Sequence, residues 1–492
     1  MALIPLDVPA GFYRNGTDLD ASGRWRDGNL VRWLGTSLRP IGGWRERIVD
    51  AIAEAARSMH SWQESNNSRW NAIATYNKLY VANSSGTVYD ITPSGFQAGD
   101  EIAAVKTGYG YSTYGTSFYG TERPDTGNYS EATTWSLDNF GDFLVGCSVY
   151  DGKVYQWDGV VSSPAAVVAN APTNNLGIIV TEERFLFCLG AGGDPRTVRW
   201  SDQEDITTWT AASTNQAGSQ ILQTSGQIMA AQRGRGQTLI LTDLDVHRMT
   251  YVGSPFIYST EKVAEACGLA SRKAVTTVDA GTFWMGHNSF FVYDGSNVQE
   301  LQCDVEDYVF GDINSSQISL SWSMSLGQQG EIWWFYCSSG SNEINRYVSY
   351  DYKQGHWATG SLSRTCGVDR GVFSHPMMMS SGGTMYEHEA GLNYDGETVF
   401  AETGPFSIGS GDNLVRVTKL IPDELTQGDV TATFKTRLYP NGAETSHGPF
   451  SMANPTSVRF TGRQARMRVE GARLADWRVG VMRVEAVASG KR

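Results

Sequence analysis

The side chains able to do chemistry in this 492-residue chain are scattered. Its seven histidines, His60, His247, His287, His356, His375, His388 and His447, are never spaced as paired metal ligands. Glu387-His388-Glu389 is the one tight cluster, and on a strand its carboxylates face one way and the imidazole the other, so the three cannot chelate one ion. The cysteines Cys147, Cys188, Cys267, Cys303, Cys337 and Cys366 stand singly and read as buried free thiols rather than disulfides or zinc ligands. Glycosidic chemistry needs two carboxylates several ångströms apart. The candidates are Asp304, Glu306 and Asp307, which read as a solvated group, and the Trp200 to Trp209 segment, which lacks the glycine of a sialidase-type turn. Nucleophile motifs and phosphate loops are missing; Gly192-Gly193-Asp194 and Arg233-Gly234-Arg235-Gly236 suit hairpin turns. The expectation is a protein that is not an enzyme, with no catalytic residue, cofactor or metal.

The elements around these residues follow a recurring phrase: an apolar strand, a polar turn, then a strand ending in an aromatic residue and Asp, often followed by Gly. Leu79 to Asp90, Phe143 to Gly159, Phe283 to Gly295, Ile332 to Asp351 and Met385 to Gly396 all carry it. Asp-Gly tolerates the positive φ of a tight turn, and the aromatic packs on a pleated face, so each copy predicts a β-hairpin. Recurrence every 40 to 55 residues or so is the spacing of propeller blades. About six or seven blades are expected over residues 58–403, with Tyr89, Tyr150, Trp157, Tyr293, Tyr350 and Tyr394 at comparable strand positions. A β-sandwich with coincidental Tyr-Asp turns is the competing reading.

The fold class expected is all-β, with 54 Gly and many aromatic residues favouring turns and strands; only Asp50 to Met59 has a helical look. Residues 1–57 form a segment dense in Arg and Trp, including Arg14, Arg24, Trp25, Arg32, Trp33 and Trp44. Residues 404–492 carry longer strands with one wet face, such as Arg466 and Arg468 alternating with Met467 and Val469. The propeller is therefore expected to carry a smaller β platform domain built from both termini. Within the blades, residues 108–121 are a Gly/Tyr/Ser stretch without strand alternation, and long insertions of this kind tend to be functional. The opening residues lack a secretory signal and no run of eighteen apolar residues occurs, so assembly in the cytosol without a membrane span is expected.

Several phrases resemble one family. Arg14-Asn15-Gly16-Thr17, Gly42-Gly43-Trp44, the Gly/Tyr loop, Asp194 to Trp209, Arg463 to Gly471 and Asp476-Trp477-Arg478 together look like the tail nozzle proteins of short-tailed bacteriophages, also called tail tubular or packaged-DNA-stabilising proteins. The resemblance touches the start, middle and end of the chain. It implies a homo-oligomeric, hexameric ring in the virion tail, below a tail adaptor protein, holding a tail fibre, spike or needle protein and letting DNA pass without specific binding. A propeller adhesin that binds or cleaves glycans is the alternative.

Charge fits the ring reading. The chain carries −13, yet from Arg459 onward nine basic residues face three acidic ones, giving +6 against −19 for the remainder. An acidic conduit repels phosphates and lets DNA slide. Arg14, Arg24, Trp25, Arg32, Trp33, Trp44, Arg463, Arg466, Arg468, Trp477 and Arg478 are the expected assembly interface, through Arg–Trp stacking. Tyr109, Tyr111, Tyr114, Phe118 and Tyr119 are the expected gate or inter-subunit loop.

Overall fold

The computed structural model describes residues 2–47, 52–105, 129–407, 414–440, 442–471 and 474–489. The Gly/Tyr loop expected to form a gate lies outside the described residues.

Seven four-stranded antiparallel sheets form a closed β-propeller. The inner strands are Ser58–Gln63, Trp135–Phe140, Gly177–Val180, Ile228–Gly234, Val275–Val278, Trp322–Leu326 and Cys366–Val368; each neighbours the next, and the last returns to the first. The middle strands read as unbroken apolar runs because both faces are covered by neighbouring blades. Glu331–Tyr336 is buried at every position. Aromatic contacts join the blades: Trp70 meets Trp157 edge to face at 5.2 Å, and Phe290 lies 4.8 Å from Trp334. All six cysteines are buried free thiols inside this fold.

Asp-Gly turns close the hairpins as the residue types require. Asp294 accepts from the amides of Ser296 and Asn297 at 2.8 Å each, and Gly295 takes φ 104°. The aromatic positions are less uniform than the phrase suggests. Trp157, Tyr293 and Tyr350 sit in the third strands of their blades, whereas Tyr89 is in a fourth strand and Tyr150 is exposed in the turn between second and third. Tyr394 lies in a loop, its hydroxyl donating to the Ile41 carbonyl at 2.6 Å. Met385 to Gly396 is therefore no hairpin.

The seventh blade explains this. Its sequence-local strands are only Cys366–Val368, Met377–Met379 and Met385–His388; the fourth is Trp44–Glu46, paired His388↔Trp44, Glu387↔Arg45 and Tyr386↔Glu46. The terminal segment thus closes the propeller ring.

The strand pairs Val31–Leu34 with Ser37–Pro40 and Ala104–Val105 with Tyr129–Ser130 stand outside the platform, which is built by two facing sheets drawn from both termini. One runs Ala2–Leu6, Met482–Ala488, Val415–Ile421, Thr456–Gly462. The other runs Trp25–Asn29, Phe400–Thr403, Gln464–Gly471, Val430–Arg437, Thr445–Ser451. Alternation puts Val430, Ala432, Phe434, Met467 and Val469 inward, where Phe434 stacks on Phe460 of the opposite sheet at 4.7 Å. Two boundaries shift from the sequence expectation: Phe400–Thr403 belongs to the platform and Trp44–Glu46 to the propeller.

No helix forms over residues 52–59, where Ser58 already begins the first inner strand. Among the described residues the one α-helix is Glu306–Asp312, with Glu306 and Asp307 in its first turn, where carboxylates complement the helix dipole. Asp307 accepts from the Gly16 amide at 2.9 Å and Asp304 pairs with Arg24 at 2.9 Å, so this acidic group helps to seat the terminal segment.

Candidate functional site

Cations are gathered in two places, a seam between platform and propeller and the propeller axis. The seam takes up most of the residues expected at a subunit interface. Trp25, Trp33, Trp44 and Trp477 are buried within the chain. Trp44 donates its indole N–H to Asp395 at 2.6 Å and packs edge to face on Tyr394. Arg32 is buried between two carboxylates, donating to both oxygens of Glu389 at 2.8 Å and to Glu331 at 3.0 Å. Burial alone would lower the Arg32 pKa, but Glu331 and Glu389 outweigh it and hold the guanidinium charged. The Glu331 carboxyl is pushed up, because its burial and the nearby Glu389 and Asp351 outweigh its single cation.

Of the other arginines, Arg14 reaches the propeller, and those of the C-terminal strands are paired within the platform. Arg14 lies 3.3 Å over the Tyr308 ring and pairs with Asp27 at 3.0 Å. Arg466 binds Asp18 and pairs with Glu444 at 3.0 Å, while Arg468 sits 3.5 Å over Phe400 and bonds Glu470 at 3.0 Å. Arg463 stacks over Tyr439 at 5.5 Å and Arg478 pairs with Asp476 at 3.5 Å. Arg468–Glu470 and Arg478–Asp476 are local pairs, whereas the buried Trp side chains and Arg32 are engaged inside the chain, Arg32 and Trp44 by carboxylates distant in sequence, so these five do not face a neighbouring subunit. His388 joins them as a neutral acceptor from Arg364 at 2.9 Å, its pKa driven well down by burial and by that arginine.

The axis holds a cavity of about 220 Å³ lined by residues from all seven inner strands and from the segments leading into them. Its charged groups are Arg57, Asp138, Arg233, Arg272 and Lys273, joined by His60 and Cys366. Three guanidinium groups have carboxylate partners. Arg57 is bidentate to Glu343 at 2.8 and 2.9 Å, Arg272 meets Glu131 at 3.3 Å, and Arg233 meets Asp138 at 3.1 Å. Asp138 also accepts from the amides of Asn139 and Val180 at 2.9 Å, which ties blades two and three together at the axis. His60 bonds Asn139 at 3.1 Å and is held neutral by burial, with Arg233 and Lys273 pushing the same way. Burial pushes the Cys366 thiol up to about 12, too high for a thiolate nucleophile at neutral pH.

Lys273 differs from the rest. It lies just before the inner strand Val275–Val278, and among the described residues its amine has no ion-pair or hydrogen-bond partner. Burial pulls its pKa down, with only Cys366 and Asp138 pulling it back. None of these axial residues was singled out from the sequence as a site, because each blade contributes one or two and no local motif results. The one signal available was the basic pair Arg272-Lys273 ahead of a buried strand. Among the described residues no cluster of three or more His, Cys, Asp or Glu could hold a metal ion.

No protein-family profile matches the chain, and no curated protein does. Among solved structures it is similar to virginiamycin B lyase from Staphylococcus aureus, at 8% identity and TM-score 0.44 over 70% of this chain and 98% of that one. A streptogramin B lyase matches at 8% identity and TM-score 0.41 over 70% and 96%. BamB from Moraxella catarrhalis matches at 10% and 0.38 over 79% and 98%. These likenesses concern the fold alone. Two of the three are named as lyases, and the expectation that the chain is not an enzyme is withdrawn.

Proposed function

We propose that the chain is a structural subunit of a short phage tail, one copy of a hexameric nozzle ring that conducts and retains DNA, sits below a tail adaptor and anchors an adhesin. The observation that carries this reading is the two-part subunit. A sandwich made from both termini is locked to the propeller by the closing strand Trp44–Glu46 and by Arg32 between Glu331 and Glu389. Force applied to one part therefore reaches the other through buried charges and main-chain pairing rather than through a flexible linker. The acidic surplus supports the same reading, since a ring repeats it in every copy and keeps a polyanion moving.

Native mass spectrometry and electron microscopy of the purified chain, with proteomics of purified virions, test the proposal. A closed ring of several copies and presence in the tail are expected. A chain that stays monomeric at tens of micromolar and is missing from virions would sink it. The adhesin reading, for a monomer or an oligomer, instead expects retention or cleavage of a host glycan.

A further inference from the structure

The axial cavity carries more cation than the protein neutralises. Four cationic side chains enter its wall, and the carboxylates Glu343, Glu131 and Asp138 answer three of them. The remaining one, Lys273, faces Asp138, which Arg233 and two main-chain amides already engage, and the neutral thiol of Cys366. Lys273 is half-buried in the cavity wall, and its ammonium has no carboxylate of its own, which leaves one excess positive charge there in a chain of net −13. The cavity is also far larger than the roughly 10–15 Å³ that one water needs.

The donors that remain come from neighbouring blades, Lys273 before blade five, Arg272 beside it and Arg233 from blade four, while Arg57 before blade one is already bidentate to Glu343. A planar carboxylate offers acceptors along one edge, whereas a tetrahedral oxyanion offers them in all directions. An ammonium supplies three donors to such a group, and guanidinium forks suit phosphate oxygens. We infer that the axial cavity is a binding site for a small tetrahedral oxyanion of the phosphate class, with Lys273 as its main counter-charge and Arg233 and Arg272 as flanking donors.

This inference is independent of the ring. A subunit that never forms a nozzle would still bind the anion, and a nozzle without the anion would still assemble. Isothermal titration calorimetry of the full chain with inorganic phosphate, against chloride and acetate at equal ionic strength, is the test. Saturable binding of one phosphate per chain is expected, with little response to the other two. Lys273→Met should weaken it by roughly tenfold or more, the loss of one charge-assisted bond. Lys273→Arg should restore most of it, and Lys78→Met, on an exposed lysine paired with Asp90, should change nothing. Circular dichroism confirms that each variant is folded. Absence of phosphate binding by the wild type, equal binding of acetate, or full binding by folded Lys273→Met would each overturn the inference.

Discussion

The seam and the axis hold cationic side chains under opposite terms. At the seam Arg32 is held by two carboxylates, and His388 is kept neutral so that it can accept from Arg364. At the axis Lys273 enters a shared space where the nearby carboxylate is already taken. A charge whose partners are all internal serves the fold, and removing it strands those partners. A charge left without one contributes nothing to the fold and is free to serve something else.

The difference can be broken most severely at the closing strand. Deleting residues 1–47 removes the fourth strand of blade seven together with Arg32, and cooperative unfolding by calorimetry should be lost. Deleting residues 408–492 should leave a folded propeller, because the blades stay complete. Equal behaviour of the two truncations would mean that the seam does not hold the ring shut. Next in size is Arg32→Met, which leaves Glu331 and Glu389 buried without their cation; denaturant unfolding should show a loss of about 3–5 kcal/mol.

A smaller effect is expected at Glu387, which binds Arg45 of the closing strand and Arg47 beyond it. Burial raises its pKa, but the hydrogen bonds and charges of the two arginines outweigh that and hold it below its ordinary value. A carboxylate so depressed contributes stability above its unfolded pKa, and that contribution is lost as pH falls through the folded value. Glu387→Gln should therefore cost about 1 kcal/mol at neutral pH, and wild type and variant should converge only as pH falls below that depressed folded value. The smallest effect belongs to Lys273→Met. In phosphate-free buffer its stability should stay within about 0.5 kcal/mol of wild type or rise, since no internal partner is stranded. A loss comparable to that of Arg32→Met would erase the contrast between the two regions.

What could be read ahead of the structure followed the range of the interactions involved. Asp294-Gly295 announces its hairpin because both the turn and the strands it joins lie within a dozen residues. The alternation of Arg466 and Arg468 with Met467 and Val469 announces a one-sided strand for the same reason. Trp44 gave no such notice: its strand partner is His388 and its hydrogen-bond acceptor Asp395, so its local text could not distinguish packing within one chain from packing between two. The axial residues were harder still. Arg57, Asp138, Arg233 and Lys273 come from four blades and share a site only because the ring closes. Composition pointed to the right fold class, yet the residues that meet at the axis are a property of topology, which no single blade contains.

The closing strand also sets a schedule for biosynthesis. Arg45 and its partner Glu387 are 342 residues apart. At roughly 5–20 residues per second, the first strand made for blade seven must wait about 20–70 s for its neighbours to leave the ribosome. Throughout that wait Trp25, Trp33 and Trp44 are without the surroundings that bury them in the finished molecule, and toward its end six blades have no seventh to seal them. The nascent chain is thus most exposed to chaperones and to wrong partners at its beginning, and the molecule becomes fully native only when nearly all of it has been translated.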